Sequence, residues 1–165
     1  YDLCVSAIRS DVKSDEYSDY MVMLEEDLYL AVPTHSPYGD KDSICLADTN
    51  NAGYICLAGS RPIRQICNSY FSEASFTPKI IFESDTTESV RNLIAAGLGI
   101  GFWPQYSWGP LPSEWDSQGG SPVKLLPIEG QTCRRQITLT RSPKSLDKPI
   151  LTDFCSFLVG NSRWL

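Results

Sequence analysis

Hydroxyl, amide and charged groups gather where one short apolar run ends. Gly59, Ser60 and Arg61 follow that run and precede Pro62, which is typical of the first turn of a helix. The free backbone amides and the positive end of a helix N-terminus suit a carboxylate, a phosphate or a sulfate. Ser60 could instead only cap the helix, and the two roles can coexist. The sequence therefore predicts an anion-binding loop at residues 59–61.

A second group of this kind stands at the start of the next predicted helix. Asp85 with Glu88 three residues later resembles a capping box, so Asp85 is the expected N-cap. Thr86 is then a candidate ligand contact. Glu83 and Asp85 would repel a simple anion, which leaves the charge of the ligand open.

Histidine and cysteine usage argues against catalysis and against metal binding. His35 is the only histidine, and the six cysteines include no CxxC pair. A single histidine removes most triad and acid–base chemistry. Several cysteines lie inside apolar runs, so we interpret them as buried free thiols in a reducing compartment. We expect no catalytic residue, no metal and no cofactor.

The middle of the chain alternates between strand and helix patterns. Apolar runs at 54–57, 79–82 and 98–103 predict three strands, and helical periodicity predicts helices at 62–74 and 85–97 between them. Strand–helix–strand connections of this length imply right-handed crossovers and a parallel sheet. Such sheets bind ligands at the carboxyl ends of their strands, where the two polar groups lie.

The two ends of the chain complete a second lobe in this interpretation. Strand patterns near the start and a helix pattern at 149–159 bury their apolar faces only by packing together. We predict a terminal lobe from 1–32 with 139–165 and a central lobe from 33–138. Ser6 and Ala7 then end the first strand, and Pro33 and Thr34 follow a strand that crosses between the lobes.

Phe102 and Trp103 end the third strand. One of them is expected in the core, since strand side chains alternate between faces. The other would wall a cleft between the lobes. The candidate effector-binding residues are therefore Ser6, Ala7, Pro33, Thr34, Gly59, Ser60, Arg61, Asp85, Thr86, Phe102 and Trp103.

Charge and hydropathy exclude two classes of function. Fourteen basic and twenty acidic residues give a net charge of −6, without the clustered lysines and arginines that phosphate contacts require. No apolar run approaches the roughly 18 residues of a membrane span. No signal peptide is visible. We expect no binding to membranes and no DNA binding by this chain alone.

The ordered set of segments resembles the effector-binding, or substrate-binding, domain of bacterial LysR-type transcriptional regulators. The resemblance covers residue 1 to about residue 160. Its matching stretches are Asp2-Leu3-Cys4-Val5, residues 24–33 followed by His35-Ser36-Pro37, residues 59–64, and residues 83–104 with Ala95-Ala96-Gly97-Leu98-Gly99-Ile100 and Pro104.

This resemblance implies an α/β fold of two Rossmann-like lobes, as in type 2 periplasmic binding proteins, with subdomain I at 1–32 and 139–165 and subdomain II at 33–138. It implies a cytoplasmic, non-enzymatic regulator that binds a small-molecule effector in the cleft between the lobes and forms homodimers. The family's helix-turn-helix and the first strand–helix–strand portion of its terminal lobe lie outside this sequence. We therefore expect an incomplete terminal lobe, and DNA contact only through that helix-turn-helix.

Two other classes of function stay open when the residues alone are considered. A solute-binding protein of a transporter has the same two-lobe architecture. A small α/β enzyme would need a nucleophile–base pair, a metal cluster or a cofactor loop, and the sequence offers none that is convincing.

Overall fold

The computed structural model describes residues 1–12, 20–111, 121–145 and 147–161. Contacts divide the chain into a terminal unit, Tyr1–Glu26 with Arg134–Leu165, and a central unit, Asp27–Cys133. Both changeovers fall earlier in the chain than the expected ones at 32/33 and 138/139. At the first changeover, Leu28–Ala31 of the second strand pair with residues 101–104 of the central unit. At the second, residues 135–141 pair with residues 3–9 of the terminal unit.

The central unit begins with the end of β2 (Tyr20–Pro33) and contains β3 (Ile44–Cys45), β4 (Gly53–Leu57), β5 (Lys79–Ser84), β6 (Gly101–Pro104), β7 (Val123–Leu126) and β8 (Ile128–Glu129). Its helices are α1 (Pro62–Glu73) and α2 (Thr87–Ala95). A 3₁₀ turn covers Leu46–Thr49.

The three predicted strands run parallel, as the crossover argument requires. β4 pairs with β5 in parallel, from Gly53 opposite Lys79 to Leu57 opposite Ser84. On its other side, the Ile55 amide donates to the Ile100 carbonyl at 2.8 Å. β6 continues from Ile100 and pairs antiparallel with β2, which also pairs with β7. β6 is thus an interior strand of a mixed sheet.

Aromatic packing of α1 against the sheet forms the centre of this unit. α1 buries Ile63, Ile66, Cys67, Tyr70 and Phe71, which follow the helical period that the sequence predicts. The rings of Phe71 and Tyr54 stand 4.9 Å apart, and those of Phe71 and Phe102 stand 5.3 Å apart. Each such side chain contributes about 1.5–3 kcal/mol when fully buried.

Glycines allow the segment after α2 to approach β4 closely. Gly97 ends the helix with a φ of 81°, the left-handed conformation expected for it. A Cβ at Gly101 would lie 2.6 Å from the Ile55 carbonyl oxygen. A Cβ at Gly99 would lie equally close to the Gly53 carbonyl oxygen, so both positions must lack a side chain for this segment to meet β4.

The terminal unit is built on one long antiparallel pairing. β1 (Leu3–Arg9) pairs with β9 (Arg134–Arg141), from Leu3 opposite Arg141 to Arg9 opposite Arg135. The strand order is β1, β9, β2. Glu26 is fully buried, and its carboxylate accepts a hydrogen bond from Arg135 Nε at 2.8 Å.

The last helix of the terminal unit is largely uncovered. α3 (Pro149–Asn161) buries Cys155, whereas Ile150, Phe154 and Phe157 are exposed. All six cysteines are free thiols, as expected. Cys56, Cys67, Cys133 and Cys155 are buried, but Cys4 and Cys45 are only half-buried, because they lie on strands with one open face.

Candidate functional site

The carboxyl ends of β4 and β5 place the starts of α1 and α2 side by side. The Ala58 amide donates to the Ser84 carbonyl at 2.9 Å, which ties the two strand ends together. Residues 59–61 follow the first end, and Asp85 and Thr86 follow the second. The structure therefore brings together the two polar groups that the sequence singles out, and we call residues 59–61 with 84–86 the strand-end site.

Ser60 is not the cap of α1. Arg61 occupies the N-cap position with extended backbone, φ −80° and ψ 133°, and its side chain makes no capping bond. The physical reason is Pro62, which forces the residue before it out of the helical region. The Ser60 hydroxyl bonds to no other described residue. A Cβ built on Gly59 would meet nothing within 4 Å, so space is open beside this loop.

Arg61 links the two helix starts. Its Nη2 donates to the Asp85 carbonyl at 2.9 Å, and its Nε lies 3.9 Å from the Asp85 carboxylate. Both side chains are at least half exposed, so this ion pair contributes little stability. Its effect is to hold a guanidinium at the opening of the strand-end site.

Thr86, and not Asp85, is the N-cap of α2. The Thr86 Oγ1 accepts a hydrogen bond from the Ser89 amide at 3.3 Å and donates to the Ser89 hydroxyl at 2.8 Å. Thr86 is extended, with φ −114° and ψ 137°, so the helix begins one residue later than a cap at Asp85 would require. The Asp85 carbonyl and carboxylate face Arg61 instead.

The expected repulsion of an anion by Glu83 and Asp85 is offset by two arginines. Arg64 is hydrogen bonded to the Glu83 carboxylate, and it also donates to the Leu57 carbonyl at 3.0 Å. Arg61 faces Asp85. With both carboxylates matched, the N-terminal ends of α1 and α2 add a positive contribution to the local potential, and Glu88 in the first turn of α2 adds a negative one.

Phe102 and Trp103 are both buried, at 5% and 0% exposure, and not one in the core and the other exposed as strand alternation predicts. β6 lies between β4 and β2, which cover its two edges, and side-chain packing covers its faces. Phe102 packs on α1. Trp103 lies against Trp108, with ring centroids 5.7 Å apart, and against the Arg91 guanidinium at 5.1 Å.

Sequence reasoning missed three residues near the site, namely Arg64, Arg91 and Trp108. Trp108 is only 9% exposed although it follows the last parallel strand in a segment rich in Gly and Pro. Arg91 donates to the Pro110 carbonyl at 2.6 Å and so holds that segment against α2. A bulky aromatic residue in a polar loop was the available signal for Trp108.

The remaining candidates lie outside the strand-end site as described. Pro33 is buried at the end of β2, opposite Val123. The Thr34 amide and hydroxyl both donate to the Pro122 carbonyl, at 2.9 and 3.3 Å. Ser6 and Ala7 belong to the terminal unit, where they line a groove of about 260 Å³ and Ser6 Oγ lies 3.1 Å from Thr138 Oγ1.

Within the described ranges, no three His, Cys, Asp or Glu side chains stand close enough to hold a metal ion. No helix in that part of the chain has the length and apolarity to cross a bilayer.

Comparison with known proteins matches nearly the whole chain to one family. A sequence model described as "LysR substrate binding domain" matches residues 2–163. The transcriptional regulator YybE of Bacillus subtilis, described as uncharacterized, is 28% identical over 103 residues, which are 62% of this chain and 34% of YybE. The transcriptional dual regulator GltC of the same organism is 20% identical over 138 residues, which are 84% of this chain and 44% of GltC. The chain thus spans between a third and a half of these relatives.

Solved structures share the fold. The effector binding domain of QuiR, in complex with shikimate, superposes with a TM-score of 0.77 at 23% identity, covering 99% of this chain and 72% of that one. This confirms the expected α/β fold of the periplasmic-binding-protein-like kind.

Proposed function

Because the chain belongs to the LysR substrate-binding domain family, we propose that it is the ligand-sensing part of a LysR-type transcriptional regulator. Its matched relatives are transcriptional regulators, and the domain of QuiR is described with a bound effector. These relatives do not favour the alternative that the chain is a solute-binding protein of a transporter. They are also regulators and not enzymes, and we propose that this chain has no catalytic role.

The ligand we propose is a small molecule with a carboxylate or phosphate group, which binds at the strand-end site. The observation that carries this proposal is the pair of helix N-termini held together by Ala58 and Arg61, with both local carboxylates matched by arginines. Backbone amides and the hydroxyls of Ser60 and Ser84 are suitable donors to such a group. Ser6, Ala7, Pro33 and Thr34 remain proposed contacts for other parts of the ligand.

The proposed mechanism is differential binding. A ligand that prefers one conformation of the regulator shifts the population towards it by the ratio of its two affinities. DNA contact would belong to another part of the longer protein, and such a regulator would act in the cytoplasm. No cofactor is required.

We also propose that the chain forms a homodimer through the face that carries β5. β5 is paired with β4 along one edge, and the side chains of Ile81 and Phe82 are 46% and 45% exposed. An apolar edge strand is open to pairing with another surface, and a partner copy would cover it.

A metabolite screen by thermal shift tests the ligand proposal, preferably on the intact regulator that contains this chain. A ligand at a hundredfold excess over its Kd adds about 2.7 kcal/mol of stability. At roughly 2–4 °C per kcal/mol, the expected rise in Tm is about 5–10 °C. Ser60→Ala with Thr86→Val should shrink this rise relative to the variant without ligand, whereas the exposed control Lys144→Ala should not. Undiminished binding to the double variant would show that the site is elsewhere.

A further inference from the structure

Two ion pairs join β2 to β9 at the end of the terminal unit. Glu26 and Arg135 are both buried, and the Glu26 carboxylate lies 2.8 Å from Arg135 Nε. The Glu25 carboxylate lies 3.4 Å from Arg134 Nη1, and these two side chains are more than a third exposed. Neighbouring residues of a strand point to opposite faces, so each face of the paired strands carries one ion pair.

The contacts between the two strands define their register. The Leu28 amide donates to the Cys133 carbonyl at 2.8 Å, whereas Glu26 meets Arg135. Residue numbers fall along β2 as they rise along β9, so the strands run antiparallel and Glu26 stands opposite Arg135. A slip of one strand along the other by two residues is a movement of about 7 Å, which would separate the two charges completely.

The uncharged residues on the face of Glu26 and Arg135 do not specify this register. A slip by one residue would turn every side chain of β2 to the opposite face, which the apolar pattern opposes. A slip by two residues keeps every side chain on its face. The residues that would then come opposite Glu26 or Arg135 are all uncharged, namely Cys133 or Ile137 on β9 and Leu24 or Leu28 on β2. Only the two charges distinguish the slipped pairing from the native one.

Burial makes that distinction large. Two buried charges that lose each other cost far more than the same charges in contact, whereas a matched buried pair adds little net stability over apolar side chains of similar volume. We propose that the ion pair of Glu26 and Arg135 sets the register of β2 on β9, and that this selection, not added stability, is its contribution. The two are positioning residues.

This role reaches beyond the terminal unit, because β2 is a single strand that continues into the central unit. Leu28 stands opposite Pro104 of β6. The register on β9 therefore fixes the residue at which β2 passes from pairing with β9 to pairing with β6. The inference depends neither on the proposed ligand nor on the proposed homodimer.

An apolar replacement of the pair separates register from stability. In Glu26→Leu/Arg135→Met, the urea midpoint should equal or exceed that of the wild type, because neither charge remains buried. The register should no longer be unique. Backbone amide NMR should show a second set of resonances for β2 and β9, and the Leu28 amide should lose protection from solvent exchange, while the Ile55 amide of β4 keeps its protection.

Two further variants locate the effect. Glu25→Leu/Arg134→Met makes the matched change on the exposed face and should keep one set of resonances. Arg135→Lys retains the charge and should also keep one set. A single register in Glu26→Leu/Arg135→Met would overturn the inference, as would a second register in the exposed-face variant. A midpoint well below that of the wild type, down to loss of folding, would also overturn it, because the pair would then act through stability.

Discussion

Charge at the strand-end site is set by pairs of residues, not by single ones. Glu83 is held by Arg64 and Asp85 by Arg61, so neither carboxylate acts alone on a ligand. The Glu83 side chain is still 47% exposed, and part of its field therefore reaches the solvent over the site. Neutralising it changes the potential that an incoming anion meets.

We expect Glu83→Gln to tighten the binding of a carboxylate ligand by about two- to fivefold at low salt, because Arg64 then contributes an unmatched positive charge. The gain should fade as ionic strength rises. Isothermal titration at about 20 mM and about 300 mM salt measures this gain and its loss. Asp153→Asn is the control, since Asp153 is exposed on α3 of the terminal unit. A gain of equal size in the control would assign the effect to net charge.

The buried Cys56 thiol gives the central unit a defined sensitivity to alkaline pH. Burial raises the pKa of Cys56 to about 11 from its usual 9.0, so between these values the folded chain binds more protons than the unfolded chain. The free energy of unfolding should therefore fall as pH rises from 9 to 11, by about 3 kcal/mol at most. Stability should be unaffected by this group below pH 9.

Urea unfolding between pH 8 and pH 11 checks this expectation. Cys56→Ala should remove part of the decline, and the remainder includes Tyr54, whose pKa burial also raises. Cys4→Ala, at a half-buried thiol, should follow the wild type. The same pH slope in the wild type and in Cys56→Ala would contradict the prediction.

At the scale of elements, the pattern of apolar residues predicted the helices and strands but not which residues pack over them. The periods of α1 and α2 and the parallel order of β4, β5 and β6 follow from local sequence. Phe102 is buried against Phe71 of α1 and Trp103 against Trp108, and no local pattern carries this packing. Both N-caps lie one residue later than the candidates in the sequence, with Arg61 in place of Ser60 and Thr86 in place of Asp85. Pro62 forces Arg61 out of the helical region, and Thr86 itself has extended backbone.

Gly101 of β6 should not tolerate a side chain without loss of stability. Its missing side chain leaves room for the Ile55 carbonyl, so Gly101→Ala forces the backbones of β4 and β6 apart and should cost about 1–3 kcal/mol of unfolding free energy. Gly59→Ala is the matched control, since a Cβ there meets nothing within 4 Å. Chemical denaturation measures both, and equal losses would contradict the close approach.

For the whole molecule, the ordered set of motifs identified the family where no single motif would have done so. The residue at which the chain passes from one unit to the other could not be predicted from the sequence. β2 belongs to both units, and nothing along Tyr20–Pro33 marks the changeover. Homodimer formation likewise depends on exposed surfaces. The proposed contact uses Ile81 and Phe82, which the sequence alone would place in a core.

Phe82→Asp should weaken the proposed homodimer, because it places a charge on the exposed edge strand β5. Sedimentation velocity over a range of protein concentrations should show a dimer for the wild type and a monomer for the variant. Leu98→Asp is the control, at a residue that is 58% exposed in the turn after α2. Wild-type protein that sediments as an 18.4 kDa monomer at high concentration would contradict the proposal.

The pairing of β1 with β9 also has a consequence for synthesis. Ser6 and its partner Thr138 are separated by 132 positions. A ribosome adds about 5–20 residues per second, so β1 waits roughly 7–26 seconds for the strand that completes it. The residues of the central unit, in contrast, emerge consecutively and can fold meanwhile. The nascent chain therefore carries β1 without its partner strand while the central unit is made, and this strand is where a chaperone would be needed.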